Sequence, residues 1–252
     1  MQLAVDIGNT NIKMGLFNNY TLEEYYHQRD DLEKIITGKK KIKHIIVSRT
    51  GSDEWAEDLL KHYDRKFFVL SHELQLPIRL HYRTPETLGP DRIAGSVAAN
   101  YYLPDTPVLK IDFGTCITYD FINPQNEYEG GAISPGIGMR LKALNAFTAR
   151  LPLVDPLDVR EHPVTGYDTA TSILSGVIHG IRYEVRGMVE HYRERFSDTK
   201  VVVTGGDAAF FAAYWESDIF ARPHLVLEGL NIILIHNIKA KWPNASFRSA
   251  QG

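Results

Sequence analysis

Cysteine is almost missing from this sequence. Cys116 stands alone among 252 residues, so no disulfide can form within the chain, which suits a reducing compartment. A single thiol cannot build a metal cluster, and no two of the ten histidines have the spacing of a helical zinc site. No apolar run approaches the roughly 20 residues that span a bilayer. Residue 2 already opens a strand pattern, which argues against a secretory leader. Charge of one sign is lacking too: 28 Lys and Arg against 31 Asp and Glu give a formal −3. That balance supplies no drive toward nucleic acid or anionic membranes. There is no Gly-Lys-Ser/Thr phosphate loop, no dinucleotide glycine fingerprint and no Gly-x-Ser-x-Gly elbow. The expectation is a soluble, cytoplasmic, globular chain, 44% apolar, with length for one large domain or two small ones.

What is present begins at residue 3. Leu3, Val5 and Ile7 alternate with Ala4 and Asp6, the period of a half-buried strand. Gly8-Asn9 breaks it with residues that tolerate positive φ. Ile12, Met14, Leu16 and Phe17 then restart an extended pattern. The stretch reads as a β-hairpin with Asp6, Ile7, Gly8, Asn9, Thr10, Asn11, Ile12 and Lys13 around its turn. Such a turn suits a phosphate. Backbone N–H groups approach at Gly8, polar donors follow, and Lys13 adds charge. Asp6 would repel a bare phosphate and makes sense beside Mg²⁺ carried on a nucleotide. An ordinary Asn/Gly hairpin is the plain alternative.

A second copy favours the phosphate. Val108 to Thr115 is again an apolar strand ending in Asp112-Phe-Gly-Thr115, 106 residues after Asp6, and Cys116 to Phe121 continues in extended form. A third glycine turn follows the strand Val201–Thr204: Gly205-Gly206-Asp207-Ala208. Two duplicated hairpin loops with a Gly-Gly turn beyond them resemble the actin-like ATPase and sugar-kinase fold.

Between these landmarks strands and helices alternate, as in an α/β layer architecture. Strands are expected at Leu22–His27, His44–Val47, Phe67–Leu70 and Leu225–Leu227. Helices are expected at Asp30–Ile36, Asp53–His62, Met139–Phe147, Ala170–Phe196 and Glu228–Ala240, with a basic, solvated connection at Lys39–Lys43. Gly89-Pro90-Asp91-Arg92 opens another helix, with Pro90 suited to its first turn. Asp91 there is either a cap or a functional carboxylate. Arg92 opposes the helix dipole, so an anionic ligand or an ion pair must account for it. The glycines of Gly130–Gly138 suggest backbone pressed against a ligand or against the facing loop. Leu103–Pro107 reads as a boundary, dividing the chain into residues 1–105 and 106–252.

Together, Asp6–Lys13, Gly89–Arg92, Asp112–Thr115, Gly130–Gly136 and Thr204–Ala208 occur in the order seen in type III pantothenate kinases, and the resemblance spans nearly the whole chain. It implies two similar ribonuclease H-like lobes with ATP in the cleft between them. It also implies transfer of the ATP γ-phosphoryl to the terminal hydroxyl of pantothenate, the first step toward coenzyme A. The cofactors implied are Mg²⁺ and a monovalent cation, K⁺ or NH₄⁺, and the assembly is a homodimer. By the same resemblance Asp6–Lys13 is the first phosphate loop, with Asp6 near Mg²⁺, directly or through water. Asp91 is the catalytic base. Tyr82, Gly89, Pro90, Asp91, Arg92 and Thr169 contact pantothenate. Asp112 holds the monovalent cation, Thr115 contacts ATP, and Gly205 and Gly206 pass the adenosine. Pro90 departs from the small or apolar residue frequent there and removes one N–H. The alternatives are another small-molecule kinase of the fold and a non-enzymatic transcriptional accessory factor.

Overall fold

The computed structural model describes residues 1–8, 11–38, 42–50, 66–71, 73–156, 163–211 and 219–242. Asn9, Thr10, Lys39–Lys41 and the helix expected at Asp53–His62 lie outside the described residues.

The first sheet has the order β3-β2-β1-β4-β5. Its strands are β1 (Gln2–Ile7), β2 (Ile12–Asn18), β3 (Thr21–Tyr26), β4 (His44–Arg49) and β5 (Lys66–Val69). β1 pairs antiparallel with β2 and parallel with β4. All six residues of β1 are buried, as a central strand covered on both faces must be. Helix α1 (Asp31–Thr37) adds Leu32, Ile35 and Ile36 to the core formed with Leu3, Val5 and Ile45.

The second sheet has the order β11-β10-β7-β8-β9-β6. Here β6 is Arg79–Leu80, β7 Val108–Phe113, β8 Cys116–Ile122, β9 Glu127–Pro135, β10 Lys200–Thr204 and β11 Ile219–Ala221. Read from β9, its order is β9-β8-β7-β10-β11, which repeats β3-β2-β1-β4-β5 with β6 added at the edge. The duplication read from two Asp-x-Gly turns is therefore a duplication of whole sheets.

The helices are α2 (Pro90–Tyr102), α3 (Ile137–Ala146), α4 (Thr169–Arg195), the short α5 (Ala208–Phe211) and α6 (Leu225–Lys241). Two compact units result. One holds Met1–Thr106, Asp120–Gly130 and the chain from His224; the other holds Pro107–Tyr119 and Gly131–Pro223. The chain returns to the first unit twice. The second return is α6. A side chain on Gly229 would place its Cβ 1.8 Å from the Ala94 carbonyl oxygen, so α6 and α2 cross in backbone contact.

One expected strand is corrected. Leu225–Leu227 is the first turn of α6, and the strand lies earlier, at Ile219–Ala221. A short apolar run fits a buried helix as well as a strand, and length decides. α6 runs 17 residues and buries Leu225, Leu227, Leu230, Ile233 and Leu234 around its axis.

Candidate functional site

In the first unit, β1 and β2 pair as far as Ile7 and Ile12, and the Gly8 N–H donates to the Asn11 carbonyl at 3.0 Å. A Cβ on Gly8 would meet the Asn11 carbonyl at 3.1 Å. Asp6 and Lys13 are direct cross-strand partners, so both lie on one face of the hairpin. Asp6 is 8% exposed.

α2 begins with Gly89 as N-cap and Pro90 in its first turn; Gly89 makes no side-chain cap bond. The N–H that Pro90 lacks is one the first helical turn leaves unused anyway. Asp91 follows, half-buried, and its carboxylate accepts the Arg92 N–H at 2.9 Å. A Cβ on Gly89 would lie 2.6 Å from Asp91 Oδ1, so a side chain there would displace the carboxylate. Arg92 resolves as an ion pair. It is buried, and its Nε and Nη2 each donate to Asp120 Oδ1 at 2.7 Å. Burial works against the guanidinium charge, but Asp120 and the neighbouring tyrosines outweigh it, so the Arg92 pKa is raised further. The Tyr128 hydroxyl donates to the same oxygen at 2.8 Å. Burial first, then the Asp120 charge, pushes the Tyr128 pKa up. Tyr82 packs its ring against Tyr128. Gly130, at φ +113°, passes close enough that a Cβ would lie 3.7 Å from the Tyr82 ring.

In the second unit three glycine segments converge on the end of β7. The Gly114 N–H donates to the Cys116 carbonyl, and the Gly136 N–H to the Thr115 carbonyl, each at 3.1 Å. A Cβ on Gly136 would stand 2.5 Å from the Gly114 carbonyl oxygen. Of the two readings for the glycine-rich connection, Gly136 takes the second: it presses against the loop of Gly114 and Thr115. Gly205 adopts φ +97°, and a Cβ there would fall 2.5 Å from Asp112 Oδ1. The Asp207 N–H closes the turn on the Phe113 carbonyl at 3.0 Å, and burial pushes the Asp207 carboxyl pKa up. Gly206 has open space around its α-carbon.

This arrangement of turns can be set beside known proteins. The sequence profile of the family described as type III pantothenate kinase matches residues 2–191. Type III pantothenate kinases of Phocaeicola vulgatus and Christiangramia forsetii are each 41% identical to this chain, covering 95% and 94% of it and 100% and 99% of themselves. The chain belongs to the type III pantothenate kinase family. Among solved structures, a Campylobacter jejuni protein described as a Baf family transcriptional activator superposes with a TM-score of 0.61. It shares 24% identity and covers 96% of this chain and 100% of its own. A Sinorhizobium meliloti protein described as a 2-dehydro-3-deoxygalactonokinase gives 0.55 at 14% identity, with the same coverage. These two establish a shared fold, that of the sugar kinases.

For a member of this family, sequence reasoning missed two carboxylates. Asp120 is one. Glu184 on α4 is the other: it accepts from Tyr119 Oη at 2.7 Å, from Ser134 Oγ at 3.0 Å and from Arg140. Burial alone would raise the Glu184 pKa, but these hydrogen bonds and the Arg140 charge hold it below its ordinary value. Its partners lie 44 to 65 residues away in sequence, so local pattern carried no signal. At the start of α4, Asp168 and Thr171 form a reciprocal capping box. A Cβ on Gly166 would lie 2.4 Å from the Ser172 nitrogen, so the preceding loop is clamped to the helix. Thr169 nevertheless stays exposed, and Tyr167 is 79% exposed.

Proposed function

We propose that this chain uses ATP to phosphorylate the terminal hydroxyl of pantothenate. The carrying observation is the 41% identity to a type III pantothenate kinase over 95% of the chain. Asp91 at the start of α2 accepts the hydroxyl proton as the oxygen–phosphorus bond forms. Phosphoryl transfer is loose, so alignment and charge neutralisation supply most of the acceleration. Lys13 and the N–H groups of the first loop hold phosphate oxygens, Thr115 adds a hydroxyl, and Gly205 and Gly206 let backbone pass the adenosine. Tyr82, Gly89, Pro90 and Arg92 line the pantothenate side of Asp91.

Among the described residues no three His, Cys, Asp or Glu side chains converge as a metal cage. Mg²⁺ that arrives with a nucleotide needs no such cage, since one carboxylate with water and phosphate oxygens satisfies it. Buried Asp6, beside the first loop, fits that need; Mg²⁺ would neutralise charge on the phosphates. Asp112 would hold K⁺ or NH₄⁺, between the Gly114 and Gly205 backbones, whose missing side chains leave it room. The expected outcome is activity with potassium or ammonium and little with sodium. Full turnover with sodium as the only monovalent cation would remove the cation from the scheme.

The chain also works as a homodimer in this reading. Ile173, Val177, Ile181, Val185 and Val189 fill one buried strip of α4. Gly176 and Gly187 have open space, Gly180 approaches only Arg140, and Tyr183 on the same face is 60% exposed. A second copy covering that face would bring exposed Thr169 to its partner's pantothenate.

A coupled ADP-release assay with pantothenate, acetate and glucose tests the function. Turnover with pantothenate alone is expected. Turnover with a sugar or acetate instead would favour another kinase of the fold. Turnover with none would favour the non-enzymatic regulator.

A further inference from the structure

The proposed pantothenate contacts come from two stretches, Tyr82 and Gly89–Arg92, and a carboxylate on neither stretch ties them together. Asp120, on β8, is 0% exposed. Its Oδ1 takes the Nε and Nη2 of Arg92, both at 2.7 Å, and the hydroxyl of Tyr128 at 2.8 Å. Tyr128, itself 0% exposed, presents its ring to Tyr82 at 5.9 Å between centroids and 58° between planes. We propose that Asp120 is the positioning residue of the pantothenate site, setting the Arg92 guanidinium directly and the Tyr82 ring through Tyr128.

The physical case rests on what the arrangement costs. Arg92 stands in the first turn of α2, where the dipole disfavours a cation. Burying the pair adds a desolvation penalty, and well-packed apolar residues often do as well for stability. A guanidinium held in place earlier than substrate binding, however, loses no rotamer freedom when the substrate arrives. Both donors of Arg92 that meet Asp120 are charge-assisted, the strongest class of hydrogen bond. Tyr128 adds a third donor and extends the same order to the aromatic contact. Asp120 touches no substrate in this scheme, and its effect is on affinity for pantothenate.

This inference rests on the pantothenate reading, and the experiment keeps the two apart. The full-length chain is assayed first. If it does not turn over pantothenate, the proposed function is at fault. In an active protein, Asp120→Asn and Tyr128→Phe are compared by KM for pantothenate, KM for ATP, kcat and melting temperature. Tyr128→Phe should raise the pantothenate KM by roughly 10-fold, the worth of one hydrogen bond to a charged group, with the ATP KM unchanged. Asp120→Asn should raise it further. If Asp120→Asn does not fold, Asp120→Glu, which keeps the charge and displaces the oxygen, takes its place. An unchanged pantothenate KM in the folded Asp120 variant, or equal rises in both KM values, overturns the proposal and leaves Asp120 a stabilising residue only; an unchanged KM in folded Tyr128→Phe overturns its Tyr82 arm.

Discussion

Asp91 is the residue on which the chemistry is staked. It sits inside the first turn of α2 with Gly89 as the cap, and its carboxylate accepts the backbone N–H of the next residue, Arg92. Asp91→Asn keeps the shape and removes the basicity. We expect kcat to fall by at least ~100-fold, the scale of general-base loss, while a fluorescent nucleotide still binds. Near-normal turnover would reduce Asp91 to its bond with Arg92. Glu184 gives a second test at this scale. Its pKa is held below the ordinary 4.5, so the ionised form is favoured by folding. That stabilisation is complete above the unfolded value and disappears as pH falls through the folded one. The melting-temperature gap between the native chain and Glu184→Gln should therefore hold steady above about pH 5 and close below it. A gap that does not change on acidification would contradict the assignment. Neither Asp120 nor Glu184 was legible beforehand. Each is an ordinary strand or helix residue until its partners are known.

At the scale of elements, turns were easier to read than strands and helices. The loops after β1 and β7 follow from Asp-x-Gly, and the Gly205 turn from Gly-Gly. Leu225–Leu227 reads as a strand but forms the first turn of α6, because three apolar residues carry no period. The glycine turns also differ in kind, which makes a matched pair of variants informative. Gly205 needs positive φ and has Asp112 Oδ1 2.5 Å from where a Cβ would go; Gly206 has neither constraint. Gly205→Ala should cost about 1–3 kcal/mol of stability, the range for enforced backbone strain. Gly206→Ala should stay within about 0.5 kcal/mol. Urea midpoints with unchanged slopes would measure both, and equal losses would refute the distinction.

For the whole molecule, the proposed site needs two chains. Exposed Thr169 stands at the head of a long helix with one uncovered face, an odd place for the proposed substrate contact unless a second copy covers it. Two-fold closure is the commonest solution. Asp91→Asn and a bulky replacement of Thr169 should each be inactive alone. Mixed and allowed to exchange subunits, they should regain part of the activity, because one site of a mixed dimer carries both lesions and the other none. A monomer by light scattering at assay concentration, or no rescue despite exchange, would end the shared-site idea.

The family, the duplicated α/β plan and the positions of the glycine turns are written in the sequence alone. These rest on alternation, glycine and asparagine turns and helix starts, all written within a few residues. The partners of buried groups are set by packing between distant segments. Arg92 meets Asp120 28 residues on, and Tyr119 meets Glu184 65 residues on. α6 joins the first unit although it closes the described chain. Periodicity tells which face of an element is buried, but not what it is buried against. That choice belongs to packing, where Gly229 admits the Ala94 backbone and a single carboxylate oxygen gathers Arg92 and Tyr128.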